Sequence, residues 1–198
     1  MLQIGVTGGI GSGKSLVCRI FSTLGIAIYD ADSRAKWITN NDISVKKAVI
    51  EHFGEEAYTA VGLNRGFMAQ KVFNNVDQLH ILNGIIHPAV GKDYELWASE
   101  QSSAYIIKEA ALMFESGSYK MLDKVINVSA PIELRIARVL KRDSFRTKDE
   151  VLAIINKQLS EEERSERSDY EIVNDEQQML LPQVLALHES LLTIKKGR

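Results

Sequence analysis

One glycine-rich stretch near the start of the chain constrains the fold more than any other feature. Residues 8–15 read Gly-Gly-Ile-Gly-Ser-Gly-Lys-Ser and match the pattern G-x-x-x-x-G-K-[ST] of a phosphate-binding loop, or P-loop. Glycines tolerate positive φ, so several backbone N–H groups of such a loop can point inward at phosphate oxygens. In such loops the lysine supplies a charge for the β- and γ-phosphates and the serine hydroxyl binds Mg²⁺, and we expect these roles for Lys14 and Ser15.

The residues around this loop match the strand–loop–helix setting that a P-loop requires. The apolar run Leu2–Val6 predicts a buried strand, and apolar residues recur at helical spacing from Val17 to Leu24. A helix that begins near Lys14 adds the positive end of its dipole beneath bound phosphates. A flexible glycine turn with an accidental lysine would not need this setting, so the sequence predicts a nucleotide site.

Composition restricts the class of protein further. The chain has 198 residues, 45% hydrophobic and 25% charged, which suits a single globular domain over residues 1–198. A net charge of −2 gives no electrostatic reason to expect a nucleic-acid or membrane partner. The lone Cys18 fits a reducing cytosol and is expected to be a small core residue. We therefore expect a cytoplasmic protein with a small-molecule substrate, as a monomer or a weak homo-oligomer.

Four further apolar runs predict strands, separated by helical patterns. They are Ile26–Tyr29, Tyr105–Lys108, Val125–Val128 and Tyr170–Val173. Together with the first strand they predict a five-stranded parallel sheet covered on both faces, in a three-layer α/β P-loop fold. Residues 33–100 show mostly helical patterns and no clear strand alternation, which predicts a helical insertion between the second and third strands.

Two carboxylates close the second predicted strand. Ligands of open parallel sheets bind beyond the carboxyl ends of the strands, so Asp30 and Asp32 belong on the rim that carries the P-loop. Residues two apart in an extended segment point to the same side, which predicts that both carboxylates face this rim. The alternative is that Asp32 or Ser33 caps a helix that starts near Arg34.

An arginine stripe follows the fourth predicted strand. Arg135, Arg138 and Arg142 lie at positions i, i+3 and i+7 and share one face of a predicted helix. A planar guanidinium suits phosphate better than an ammonium does, although a solvated charged face is the alternative. Arg135 lies at the edge of that face and is expected to matter least.

Local signals predict several helix boundaries. Thr147 and Ser160 each begin the capping-box pattern S/T-x-x-E, and the polar stretch Ser160–Asp169 is a candidate mobile segment. His87 precedes Pro88, which predicts extended backbone at a helix boundary. A lone histidine in such a place is more often a hydrogen-bonded structural residue than a catalyst.

The P-loop specifies a nucleotide but not a reaction. A GTPase switch should carry the guanine-reading element N-K-x-D, whereas Asn156-Lys157 continues with Gln158-Leu159. A nucleotide-dependent sensor would not need paired carboxylates facing the loop. A small-molecule kinase needs a P-loop, an acceptor pocket, a base near the acceptor hydroxyl and cationic residues, and the sequence offers a candidate for each.

The chain also resembles the dephospho-coenzyme A kinases, which phosphorylate the ribose 3′-hydroxyl of dephospho-CoA with ATP in the last step of coenzyme A synthesis. Matching stretches occur in the family's order over nearly the whole chain. They are Gly5–Ser15, Asp30-Ala31-Asp32, Phe53-Gly54, Leu63-Asn64-Arg65, Val72-Phe73, His87-Pro88, Leu112–Glu115, Arg138 with Arg142, Gln158, Ser168-Asp169 and Ile172–Asn174. Three positions, Leu16, Ala111 and Ser168, depart from the threonine, proline and alanine that are usual in the family. The alternatives are another small-molecule P-loop kinase, such as a nucleoside monophosphate kinase, or a nucleotide-dependent sensor.

The resemblance implies ATP and Mg²⁺ as cofactors and assigns roles to particular residues. It implies a helical CoA-binding subdomain over residues 31–97 and an arginine-bearing lid over residues 140–167. Catalysis is assigned to Lys14, Asp32, Arg138 and Arg142, with Asp32 as the base. Nucleotide binding is assigned to Gly9, Gly11, Ser12, Gly13, Lys14, Ser15, Leu16 and Asn174, with Mg²⁺ at Ser15. The acceptor site is assigned to Asp30, Arg65, His87, Phe114 and Glu115.

Overall fold

A computed structural model describes residues 1–72 and 75–194. They form two compact units, one comprising Met1–Asp30 with the chain from Gln101 onward, and the other comprising Ala31–Glu100. Phe73, half of the matching stretch Val72-Phe73, lies outside the described residues. Among the helices of the described ranges, none is long and apolar enough to cross a membrane.

The elements alternate between strands and helices in the first unit and are mainly helical in the second. The strands are β1 Leu2–Thr7, β2 Ala27–Asp30, β3 Tyr58–Thr59, β4 Gly62–Leu63, β5 Tyr105–Glu109, β6 Lys124–Ser129 and β7 Tyr170–Val173. The α-helices are α1 Lys14–Thr23, α2 Ala31–Asn41, α3 Ile43–Phe53, α4 Arg65–Val72, α5 Val76–Ser99, α6 Ile132–Arg142, α7 Lys148–Ile155, α8 Glu161–Arg167 and α9 Leu180–Thr193.

The first unit is built on a five-stranded parallel sheet in the order β2-β5-β1-β6-β7. All five strands predicted from the sequence are present, and the three-layer α/β fold is confirmed. Ile126 and Val128 of β6 join the core shared with α1 and α9, whereas Asn127 between them bonds to α8 on the other face. Cys18 is buried in the α1 side of this core, as expected. Because β1 is central, the P-loop that follows it lies between the carboxyl ends of β5 and β6.

The second unit packs α2, α3 and α4 against α5 and also contains a short antiparallel pair. Tyr58 pairs with Leu63 and Thr59 with Gly62, so the expectation of no strand in residues 33–100 was wrong for these four residues. A two-residue strand is too short to show the alternation from which strands are predicted.

The prediction of a helix boundary at His87 was also wrong. Both His87 and Pro88 lie inside α5, which runs for 24 residues. Proline removes one helical hydrogen bond and its ring crowds the carbonyl four residues earlier, here that of Gly84. The helix continues past Pro88 because its later turns are packed, with Val90 and Tyr94 buried and α5 in contact with three other helices.

The segment after β2 is helical rather than extended. Strand β2 ends at Asp30 and α2 begins at Ala31, so Asp32 lies in the first helical turn. The argument that two carboxylates in an extended segment face the same side therefore does not hold. The alternative of a helix that starts near Arg34 was also wrong, because the strand leads into the helix without a loop.

Candidate functional site

The P-loop has the backbone conformation that its glycines allow. Gly11 and Gly13 have φ of 79° and 98°, a region that side chains disfavour. A Cβ atom on Gly11 would lie 2.4 Å from the carbonyl oxygen of Arg135, and one on Gly13 would lie 2.2 Å from Asn174 Nδ2. Lys14 Nζ donates to the carbonyl oxygen of Gly8 at 3.0 Å and so lies across the loop. These residues therefore form a closely packed loop rather than a mobile turn.

Helix α1 begins within the loop. Its N-cap is Gly13, so no side chain caps the helix end that a phosphate oxygen would meet. Leu16 in this turn exposes 48% of its surface. The helix packs through Val17 and Phe21 instead, which are fully buried in the core of the sheet.

Glu109 is a site residue that the sequence analysis missed. It ends β5, pairs in register with Asp30 of β2, and accepts a hydrogen bond from Ser15 Oγ at 2.8 Å. Burial raises the pKa of Glu109, and the neighbouring Asp30 raises it further. The available signal was its position: a carboxylate at the carboxyl end of a predicted strand. That position indicates a site residue only when the strand order is known, because the order places β5 beside β1 and therefore beside the P-loop.

Asn174 and Arg138 form a second group around the loop. Asn174 follows β7, is 7% exposed, and donates from Nδ2 to the carbonyl oxygen of Ser12 at 2.7 Å. Arg138 Nη2 donates to the backbone oxygen of Asn174 at 3.1 Å and to Glu176 Oε1 at 3.1 Å. The Asn174 amide group is thus bonded to the P-loop itself.

The arginine stripe is arranged differently from the prediction. Arg135, expected to be the peripheral member, is 3% exposed and donates from Nε to the carbonyl oxygen of Ile10 at 3.0 Å. Arg142 is 64% exposed and pairs through two hydrogen bonds with Asp143. This pairing, together with Arg146, lowers the pKa of Asp143 to about 2. The three residues share one face of α6, and their burial differs because each lies on a different turn of the helix and meets different neighbours.

Both capping boxes in the predicted lid are present, at Thr147 and Ser160. The stretch Ser160–Asp169, a candidate mobile segment, instead contains α8 and a buried arginine. Arg164 is 1% exposed and donates to Glu161 Oε2 at 3.0 Å, and Glu161 Oε1 accepts from Asn127 of β6 at 2.8 Å. These bonds attach α8 to the sheet.

The candidate acceptor residues are distributed over both units. In the second unit, Asp32 lies in the first turn of α2, Arg65 begins α4, and His87 is exposed within α5. In the first unit, Phe114 is buried against Tyr119, with ring centroids 5.1 Å apart. Glu115 Oε1 accepts from the backbone N–H of Leu159 at 2.9 Å. The acceptor site remains a prediction.

Comparison with known proteins identifies relatives of the whole chain. A family model described as dephospho-CoA kinase matches residues 2–179. The dephospho-CoA kinase of Porphyromonas gingivalis is 38% identical over 193 residues, covering 98% of this chain and 96% of that protein. A crystal structure of a Thermus thermophilus protein superposes with a TM-score of 0.84 at 28% identity, covering 99% of this chain and 98% of that one. Shikimate kinase from Acinetobacter baumannii, at 15% identity and a TM-score of 0.54 over 98% and 94% of the two chains, shares the fold.

Proposed function

The chain belongs to the dephospho-CoA kinase family, and we propose that it transfers the γ-phosphoryl group of ATP to the ribose 3′-hydroxyl of dephospho-CoA. The observation that carries this proposal is the family match over residues 2–179, which includes the P-loop and the helical second unit. A net charge of −2 supports a small-molecule acceptor rather than a nucleic acid.

The P-loop binds the phosphates of ATP in this proposal. Backbone N–H groups of the P-loop and of the start of α1 bind the β- and γ-phosphates, and Lys14 moves from the Gly8 carbonyl to a phosphate oxygen. Arg138 and Arg142 stabilise the charge that develops during transfer. Asn174 supports the nucleotide indirectly, because its side chain holds Ser12.

The oxygen atoms beside the loop fit Mg²⁺, which prefers oxygen ligands and keeps several waters. The Ser15 hydroxyl would bind the ion directly, with Glu109 and Asp30 next to it in the sheet. Within the described residues there is no group of three or more His, Cys, Asp or Glu side chains that could hold a metal. That suits an ion held partly by nucleotide phosphates, where Mg²⁺ would neutralise charge on the β- and γ-phosphates.

We assign the general base to Asp32 and a supporting charge to Asp30. Phosphoryl transfer needs a group that accepts the proton of the acceptor hydroxyl, and a carboxylate is suited to this role. Asp32 is the second residue of the helical second unit, Ala31–Glu100, and we propose that this unit contains the CoA-binding subdomain over residues 31–97. Arg65, His87, Phe114 and Glu115 complete the proposed acceptor site, and residues 140–167 the proposed lid.

A coupled ADP-release assay with a panel of acceptors tests this function. The panel contains dephospho-CoA, nucleoside monophosphates, shikimate and no acceptor. We expect dephospho-CoA to be the one acceptor in this panel that gives rapid ADP release. Turnover only with a nucleoside monophosphate would identify a nucleotide kinase, and slow turnover without any acceptor would indicate a sensor.

The variant Lys14→Ala, measured in the same assay, tests the role of the P-loop. Removing one preorganised charge should cost about 3 kcal/mol of transition-state stabilisation, or roughly a hundredfold in rate. The melting temperature should stay close to that of the wild type, because Lys14 lies over the loop rather than in the core. Near-normal turnover by the folded variant would contradict the assignment of the P-loop.

A further inference from the structure

Ile10, at the tip of the P-loop, is held by three separate contacts, which come from α6, from α7 and from the residues between α7 and α8. Its backbone N–H donates to Gln158 Oε1 at 2.9 Å, and its carbonyl oxygen accepts from Arg135 Nε at 3.0 Å. Its side chain packs against the small core of Ile136, Val139 and Val151 between α6 and α7. Both polar groups and the side chain of one loop residue are therefore fixed by elements far away in the sequence.

Arg135 is itself held in place by the partly buried carboxylate of Glu161. Arg135 Nη1 donates to Glu161 Oε2 at 3.2 Å, and the same carboxylate accepts from Arg164 and Asn127. The guanidinium group lies so close to the loop that a Cβ atom on Gly9 would be 2.0 Å from Arg135 Nη2. Because Glu161 holds the buried guanidinium group, the bond from Arg135 Nε can fix the position of the Ile10 carbonyl oxygen.

We propose that Gln158 and Arg135 are positioning residues that hold Ile10, and with it the P-loop, in its phosphate-binding conformation before nucleotide arrives. The P-loop binds phosphates through backbone N–H groups, so its affinity depends on those groups being aligned in advance. Neither residue needs to touch ATP in this role. The inference deepens the proposed function and rests on nucleotide binding by the P-loop.

The variant that tests this is Gln158→Leu, which keeps the size of the side chain and removes the acceptor for the Ile10 N–H. Losing one such bond should weaken ADP binding and raise the KM for ATP by about tenfold. The KM for dephospho-CoA should change by less than about twofold, because the bond that is removed joins Gln158 to the P-loop and not to an acceptor residue. In the nucleotide-free protein, amide hydrogen exchange in residues 8–13 should become about tenfold faster.

The control is Asp123→Ala. It removes the acceptor for the backbone N–H of Gln3, a 2.7 Å bond at the start of β1, whereas the P-loop follows the end of that strand. It should leave ADP affinity and P-loop exchange unchanged. Gln158→Glu keeps an acceptor and should restore the slow exchange of residues 8–13, even where its charge weakens ADP binding. Ile10→Ala, which loses the packing against α6 and α7, should reproduce the defects of Gln158→Leu.

The outcomes separate this inference from the proposed function. Slow P-loop exchange and normal ADP affinity in both Gln158→Leu and Ile10→Ala would overturn the positioning role. ADP titration and hydrogen exchange need no acceptor, so an incorrect acceptor assignment leaves this test intact. Absence of ADP binding by the wild type would overturn the proposed function, while the exchange measurement would still decide whether Gln158 holds the loop.

Discussion

Glu109 shows how one side chain can carry both a structural cost and a chemical role. Its carboxyl group is partly buried at the end of β5, where it accepts a hydrogen bond from Ser15. Burial raises its pKa, so the ionised form is less favourable in the folded protein than in the unfolded chain. The nearby Asp30 adds to the effect. We propose that this carboxylate, beside the proposed metal ligand Ser15, takes part in binding Mg²⁺–ATP.

The variant Glu109→Gln should change the pH dependence of stability. The folded pKa of Glu109 lies above its ordinary value of 4.5, so the wild type loses stability as pH rises from about 4.5 through the folded pKa. An amide oxygen still accepts from Ser15 but does not ionise, so this loss should disappear. Urea unfolding between pH 4 and 8 measures it, with the exposed Glu189→Gln as control. Parallel profiles for wild type and Glu109→Gln would contradict the assigned burial cost.

Asp32→Asn tests the assignment of the base. The amide keeps the shape of the side chain and cannot accept the proton of the acceptor hydroxyl, so kcat should fall by about 10²- to 10⁴-fold. ATP affinity should barely change, because the P-loop is untouched. Asp30→Asn is the comparison, with a smaller expected loss of kcat. If Asp32→Asn abolished Mg²⁺–ATP binding but kept a high kcat, Asp32 would be a metal-site residue and Asp30 the candidate base.

Helix α6 is the element in which sequence spacing and structural role diverge most. Its three arginines recur at helical spacing, yet Arg135 is buried beside the P-loop, Arg138 bonds to Asn174, and Arg142 pairs with Asp143 near solvent. The difference arises because each turn of the helix meets different neighbours. Arg135, near the N-terminal end, bonds to Glu161 of α8 and to Ile10 of the P-loop, whereas Arg142, at the C-terminal end, is 64% exposed.

Alanine substitutions along α6 should separate stability from catalysis. Arg135→Ala removes a buried partner of Glu161 and should lower the free energy of unfolding by about 3 kcal/mol. Arg142→Ala should change it by less than about 0.5 kcal/mol, since exposed pairs contribute little, but should lower kcat if the lid arginine reaches the phosphates. Denaturant unfolding and steady-state turnover measure the two effects, with Lys141→Ala as the exposed control. Equal small effects at both arginines would indicate a solvated face.

At the scale of the whole molecule, the residues proposed for nucleotide binding and most of those proposed for acceptor binding lie in different units of the chain. The first, with the parallel sheet, carries the P-loop, Glu109 and Asn174, whereas the second, Ala31–Glu100, carries Asp32, Arg65 and His87. The connection from β2 into α2 passes directly from one unit to the other. The proposal therefore assigns nucleotide binding to the sheet unit and most of the acceptor contacts to the helical unit.

Hydrogen exchange with each ligand should reveal this division. ADP should slow exchange mainly in the P-loop and the start of α1, within the first unit. Dephospho-CoA should slow exchange mainly in α2, α4 and α5 of the second unit. Peptide-resolved mass spectrometry measures both, with peptides of α9 as an internal reference. Protection by dephospho-CoA confined to the sheet unit would contradict the proposed CoA-binding subdomain over residues 31–97.

The sequence by itself determined the elements whose signals are local. The P-loop motif, the five apolar runs and the two capping boxes each lie within a few residues, and all of them appear in the structure as predicted. The periodicities of strands and helices were therefore sufficient for the α/β class. The same local rules failed at Pro88, where packing of the surrounding turns keeps α5 continuous.

Only the tertiary structure decided which of these residues meet. The bonds Glu109–Ser15, Gln158–Ile10 and Asn174–Ser12 join residues 94, 148 and 162 positions apart. The first and third depend on the strand order β2-β5-β1-β6-β7, which brings the ends of β5 and β7 near the P-loop. Gln158 lies between α7 and α8, and it reaches Ile10 because α7 packs against α6 beside the loop. Periodicity reports which face of an element is buried, but strand order is set by the packing of the whole unit. For that reason the loop could be predicted from the sequence, whereas the bonds that hold it could not.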